Sequence, residues 1–255
     1  MKRTRGFSLV ELLVVMGIIA LLAALVTPSL SKAKEIARRG TCLSNLHSLH
    51  NAYATYAEAF SDQIPVGFTK SFQYNYMAYT TVDADPSIAN KWVMFGVLYT
   101  TGYMTGPAAF YCPSAQLPGE CLNGPLNPWP TSTTTWNSTQ QTRVGYSCRP
   151  TDPIDPSIGY YWQVGGNGNF PGHLPKLGNY NHKALLTDRT SEPITLATFH
   201  VTCLNVIFGD GGGETVPSTV VTSGPADLDN MNYPFADSHN NVNIQNIFNQ
   251  LDRWQ

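Results

Sequence analysis

From Phe7 to Val26 the chain runs for 20 residues with only Ser8 and one carboxylate, Glu11, as polar interruptions. A helix of that length rises about 30 Å, the thickness of a bilayer's hydrocarbon layer. Lys2, Arg3 and Arg5 precede it, which predicts a cytoplasmic N-terminus and a body on the far side of the membrane. Glu11 is the anomaly. A carboxylate inside lipid costs a few kcal/mol, and such residues are functional by default. An ordinary secretory signal would be cut after its apolar stretch, but "SLSKA", ending at Ala33, is a poor cleavage site. Neither that reading nor a plain signal anchor accounts for Glu11.

The junction "RGFSLVELL" resembles the type IV prepilin leader of pilins and type II secretion pseudopilins. The resemblance implies cleavage between Gly6 and Phe7 by a prepilin peptidase, on the cytoplasmic side and ahead of the apolar stretch. It implies N-methylation of the new Phe7 amine by the same enzyme. Glu11 then becomes the fifth residue of the mature chain, where the family uses it in assembly: the carboxylate of an incoming subunit meets the terminal amine of one already docked. Amine and carboxylate four residues apart also share one helix face. Pairing relieves the cost of the buried charge, so Glu11 acts as a register device.

Pro28 removes one N–H and crowds the carbonyl of Ala24, so a bend is expected there. Beyond it the pattern stays helical. Leu30, Ala33, Ile36, Ala37, Leu43, Leu46, Leu49, Ala52, Tyr53 and Tyr56 recur mostly at three- and four-residue steps. Phe7 to about Ala59 therefore reads as one long helix, a membrane span over 7–27 and an amphipathic continuation over 28–59. By analogy with the family, Gly17 and Pro28 bracket a stretch that loosens on assembly. His47 and His50 lie three apart on this helix and read as surface histidines, since a metal site needs further ligands.

From residue 60 to 255 the composition turns to Gly, Pro, Thr, Asn and aromatics. "WVMFGVLY" (92–99), "GYYWQV" (159–164), "ALLTD" (184–188), "CLNVIFGD" (203–210) and "STVVT" (218–222) are strand candidates between turn-rich pieces. The fold class expected is α+β: a long N-terminal membrane-spanning helix continuing into a globular domain with an antiparallel sheet and long loops. A terminal helix is expected between Asn243 and Arg253.

"HVTCLNVIFGDGG" resembles the H-x9-D-G element of a large group of prepilin-like proteins, here His200, Asn205, Asp210 and Gly211 in an element at 200–211. "FYCPS" (110–114) and "ALLTDR" (184–189) resemble segments of the same group. One departure stands out: "GGETVPST" follows the Asp-Gly, where the group usually has a His or polar residue leading into another strand. Asp-Gly after a strand is a turn signal, so His200 binding a loop and Asp210 capping a turn is the plainer role. The other role is a calcium site built from Asp210, Glu214, Asp227 and Asp229, which supply hard oxygen ligands. No other cofactor is expected.

Five cysteines are present, an odd number that cannot pair completely within one chain. Cys112 and Cys121, in a Pro/Gly-rich stretch, suit a small disulfide loop in an oxidising compartment. Buried free thiols are the alternative. Without the three leader charges the remainder carries −5, which argues against nucleic-acid binding. Asn137-Ser138-Thr139 matches a glycosylation acceptor by a pattern frequent by chance, and no G-x-S-x-G setting marks a nucleophile.

Together these readings describe a non-enzymatic filament subunit, of a type II secretion pseudopilus or a type IV-like pilus. It would sit in the inner membrane by a single pass, with its globular domain periplasmic or extracellular. Its partners would be prepilin peptidase, other pilin-like subunits and the membrane. The alternative is a pilin-anchored surface module whose loops bind glycan, cation or protein; the loops of Trp129, Trp136 and Trp162 are candidates for glycan or protein, against the commoner use of such rings in the core.

Overall fold

The computed structural model describes residues 7–65, 75–81, 92–115, 117–130, 141–149, 175–190, 202–222 and 247–254. Helix α1 spans Leu9–Ala59, 51 residues or roughly 76 Å, and is continuous through Gly17, Pro28 and Gly40. Ser8 is its N-cap. Around Pro28 the hydroxyls of Thr27, Ser29 and Ser31 donate to the carbonyls of Ala23, Val26 and Thr27. Side chains thus supply polar partners to the backbone where a proline interrupts the ladder.

The globular part follows as β1 (Met77–Thr80), α2 (Phe95–Thr100), β2 (Gln141–Arg143), β3 (Tyr146–Cys148), β4 (Ala184–Asp188), β5 (Cys203–Phe208) and β6 (Gly213–Pro217). β1 and β2 form an antiparallel pair, and β3-β4-β5-β6 an antiparallel sheet in chain order. The α+β expectation holds. Two strand candidates do not. Residues 92–99 give a bridge at Trp92 and then α2, whose Phe95, Gly96 and Leu98 are buried. Residues 218–222 hold a single helical turn, Thr219–Thr222, that buries Val221. Both are short apolar runs, for which periodicity does not separate strand from helix. The expected strand at 159–164 lies outside the described residues. After the Asp-Gly a strand does follow: β6 starts at Gly213 and pairs with β5 from Ile207↔Gly213 to Cys203↔Pro217.

The sheet is covered on both faces, which is why every residue of β5 is buried. Cys203, Asn205 and Ile207 fall on the α1 side by the period of two. There Ile207, Leu185, Leu186, Tyr146 and Cys148 join Cys42, Leu46, Leu49 and Tyr53 of α1 in one core. A register irregularity between Ala184 and Leu186 lets consecutive leucines serve that core. Leu204, Val206 and Phe208 pack on the opposite side with Ile247, Phe248 and Leu251. These last belong to a helix over 247–252, within the expected terminal helix. Arg149 holds that helix to the sheet. Its guanidinium donates to both carboxylate oxygens of Asp252, at 2.7 and 2.9 Å, and to Asn249 and the Ala184 carbonyl.

Candidate functional site

Every residue from Phe7 to Lys34 is exposed. The large apolar side chains of that stretch, from Phe7 to Leu30, have no protein to pack on. α1 is long and apolar enough to cross a membrane. An apolar rod of this extent requires lipid or neighbouring chains. Phe7 opens the described chain; Gly6 lies outside it. The Glu11 carboxylate accepts a hydrogen bond from the Ser8 backbone N–H at 2.9 Å. It thereby satisfies one of the orphan donors at the helix start, where the macrodipole also favours negative charge. The isolated chain thus answers the cost of Glu11 locally, one residue from Phe7.

From Glu35 onward α1 is held by the head through polar hooks. Glu35 accepts from Ser114 Oγ at 3.2 Å. Arg39 donates to Thr202 Oγ1 at 3.0 Å, and its own carbonyl accepts from Asn205 Nδ2 at 3.2 Å. Asn45 donates to the Tyr111 carbonyl and the Tyr146 hydroxyl. His50 Nε2–H donates to the Gly209 carbonyl at 3.0 Å. His50 is therefore buried, not a surface histidine. It continues the stripe Cys42, Leu46, Leu49, Tyr53, Ala57 that the pattern traced only in part. Leu30, Ala33, Ile36 and Ala37, assigned to the same stripe, are exposed: the first two lie below the head, and Ile36 and Ala37 lie on the side of α1 turned away from Glu35, Arg38, Arg39 and Cys42.

Cys112 bonds to Cys42, with Cα atoms 5.2 Å apart, and Cys121 is free. The Cys112–Cys121 expectation is thus corrected. The true partner is 70 residues away, and it was hidden because only the docking of the 107–112 segment on α1 brings the two together. Asp188 lies beside this bridge, its carboxylate within 4.8 Å of both sulfurs. Among the described residues this is the one group of His, Cys, Asp and Glu close enough to share an ion, and its sulfurs are engaged with each other. Asp188 Oδ2 accepts the Asn205 backbone N–H at 2.7 Å. "FYCPS", "ALLTD" and the Asn205 strand, recognised separately in the sequence, thus converge on one turn of α1.

The Asp-Gly turn docks further along α1, at His50. Asp210 Oδ1 accepts from the Gly212 N–H at 2.9 Å, and Oδ2 lies 3.3 Å from His182 Nδ1. This is the turn-capping role. Gly211 takes φ +88 directly over the His50 ring, a conformation other residues rarely adopt. Glu214 is exposed on β6. His200, Asp227 and Asp229 lie outside the described residues. Trp129 is buried against Phe110, ring centroids 5.5 Å apart, and so serves the core; Trp136 and Trp162 fall outside. Cys148 is buried behind Tyr53, and burial pushes its thiol up to about 12. Burial likewise raises Tyr53 and Tyr146, and Tyr111 beneath Asn127. None of these groups is poised for proton transfer near neutral pH.

The family described as the prokaryotic N-terminal methylation motif matches residues 1–27. Over 56 residues the chain is 45% identical to the type II secretion system core protein G of Klebsiella pneumoniae, a match that covers 22% of this chain and 40% of that relative. The likeness to that pseudopilin thus takes in less than half of either protein. No solved structure matches the chain.

Proposed function

We propose that this chain is a filament subunit of the pseudopilin or type IV-like pilin kind, anchored in the inner membrane by α1 and assembled through it. A prepilin peptidase cuts between Gly6 and Phe7 and methylates the Phe7 amine. The exchange at Glu11 is the assembly step: the carboxylate gives up its contact with Ser8 and takes the terminal amine of a neighbour. The observation that carries this reading is the division of α1. The 28 residues from Phe7 to Lys34 are exposed and mostly apolar, while the second half of α1 is bolted to a head. A helix presented in this way is half of an interface. The methylation motif over residues 1–27 supports the processing step.

The Cys42–Cys112 disulfide supports an oxidising compartment for the head, and hence a cytoplasmic N-terminus. The role is structural, and the peptidase acts on this chain as substrate. Mass spectrometry of the natural product tests the processing directly. It should find a chain that begins at Phe7 and is heavier by one methyl group; a filament-forming chain that keeps residues 1–6 overturns the reading.

A further inference from the structure

The charges of this chain are segregated along its length. Residues 28–41 hold four basic side chains and one acidic, a net +3, whereas residues 42–255 hold eight basic and fifteen acidic, a net −7. Within the basic stretch the arginines are occupied. Arg39 lies 3.5 Å from Glu35 and donates to Thr202, and Arg38 lies 4.0 Å from Glu35. Lys32 and Lys34 are exposed and have no partner among the described residues.

We propose that Lys32 and Lys34 form a collar that binds anionic phospholipid headgroups where α1 leaves the bilayer. The inference rests on the membrane-spanning reading of residues 7–27. Because α1 is unbroken through Pro28, the height of both lysines above the apolar segment is set by helical rise. Their Cα atoms lie about 8 and 10 Å beyond Thr27. Helical side chains tilt toward the N-terminus, here toward the membrane, and a lysine lays its stem along the rod and extends its ammonium to the headgroups. Two residues apart, the pair projects about 200° apart around the axis, so that it straddles the rod. If the leader is removed, Lys2, Arg3 and Arg5 go with it, and this collar is the remaining basic cluster beside the membrane segment. The competing partner is the acidic head of a second copy. Lipid is favoured because α1 holds both lysines at headgroup height in every subunit, before any neighbour docks.

The test uses the full chain reconstituted in phosphatidylcholine vesicles with trace spin-labelled phosphatidylglycerol or phosphatidylcholine, comparing wild type, K32Q/K34Q and K32R/K34R. The readout is the motionally restricted lipid fraction. The leader charges are common to all three chains, so the difference isolates the collar. Wild type should select phosphatidylglycerol about fivefold more strongly than K32Q/K34Q, the arginine pair should retain that selection, and 1 M salt should erase the difference. Equal selection by wild type and K32Q/K34Q overturns the proposal, and does so in favour of the second copy if K32Q/K34Q also loses subunit cross-linking. Absence of restricted lipid of either kind overturns the membrane reading itself, and the proposal with it.

Discussion

Gly209 illustrates how little room some single positions have. A Cβ there would sit 2.2 Å from the Tyr180 carbonyl oxygen, backbone that has no side-chain freedom to yield. The same residue's carbonyl accepts from His50. Gly209→Ala should therefore destabilise the head by about 2–3 kcal/mol, read by denaturant unfolding of the full chain in detergent. Loss of less than about 0.5 kcal/mol would mean that the turn is not clamped on α1 as described. Glu11 is governed by a different balance. Glu11→Ala removes the acceptor of the Ser8 N–H and lowers the cost of residing in lipid at the same time. Membrane insertion should be unchanged or improved, whereas filament yield, read by shearing and immunoblot, should fall at least tenfold. Equal yield from the variant would separate this carboxylate from assembly.

At the scale of elements, the join between α1 and the sheet decides how the rod carries the head. Hydrophobic packing supplies the bulk of it through Cys42, Leu46, Leu49 and Tyr53. The disulfide then closes a loop between positions 42 and 112. In the chain-entropy account a loop of that size is worth about 4 kcal/mol. Cys42→Ser combined with Cys112→Ser should lower stability by roughly that amount, and reductant should reproduce the loss in the parent chain but not in the variant. The terminal helix has its own lock. Arg149 is buried, and both oxygens of Asp252 face it. Asp252→Ala leaves that guanidinium short of its counter-charge, and about 3–5 kcal/mol should be lost. Proteolysis of the last residues in the native state would report the detachment.

For the whole molecule, pH acts through groups that the core keeps protonated. Cys148 is pushed up to about 12 by burial, against an ordinary thiol near 9, and burial also raises Tyr53 and Tyr146. The unfolded chain gives up these protons first. Stability is therefore fully present below about pH 9 and falls as pH rises toward 12, since the unfolded state then binds fewer protons than the native one. A melting series from pH 8 to 11 should show this monotonic decline. A flat series would mean that these side chains reach solvent. In the same range Cys121, half-exposed, should be alkylated in the native protein well before Cys148.

What could be read from the chain alone was whatever depends on neighbours in sequence. The apolar run, the motif over residues 1–27 and the long helix are local patterns, and α1 has nearly the predicted extent because periodicity acts over adjacent residues. β4, β5 and the turn-capping of Asp210 were legible for the same reason. The partner of Cys112, the burial of His50, the point on α1 where the head begins and the helical state of 95–100 were decided by tertiary structure. Each depends on which surface the folded sheet lays against the rod, and contacts between residues 70 or 159 positions apart leave no periodic trace in the sequence.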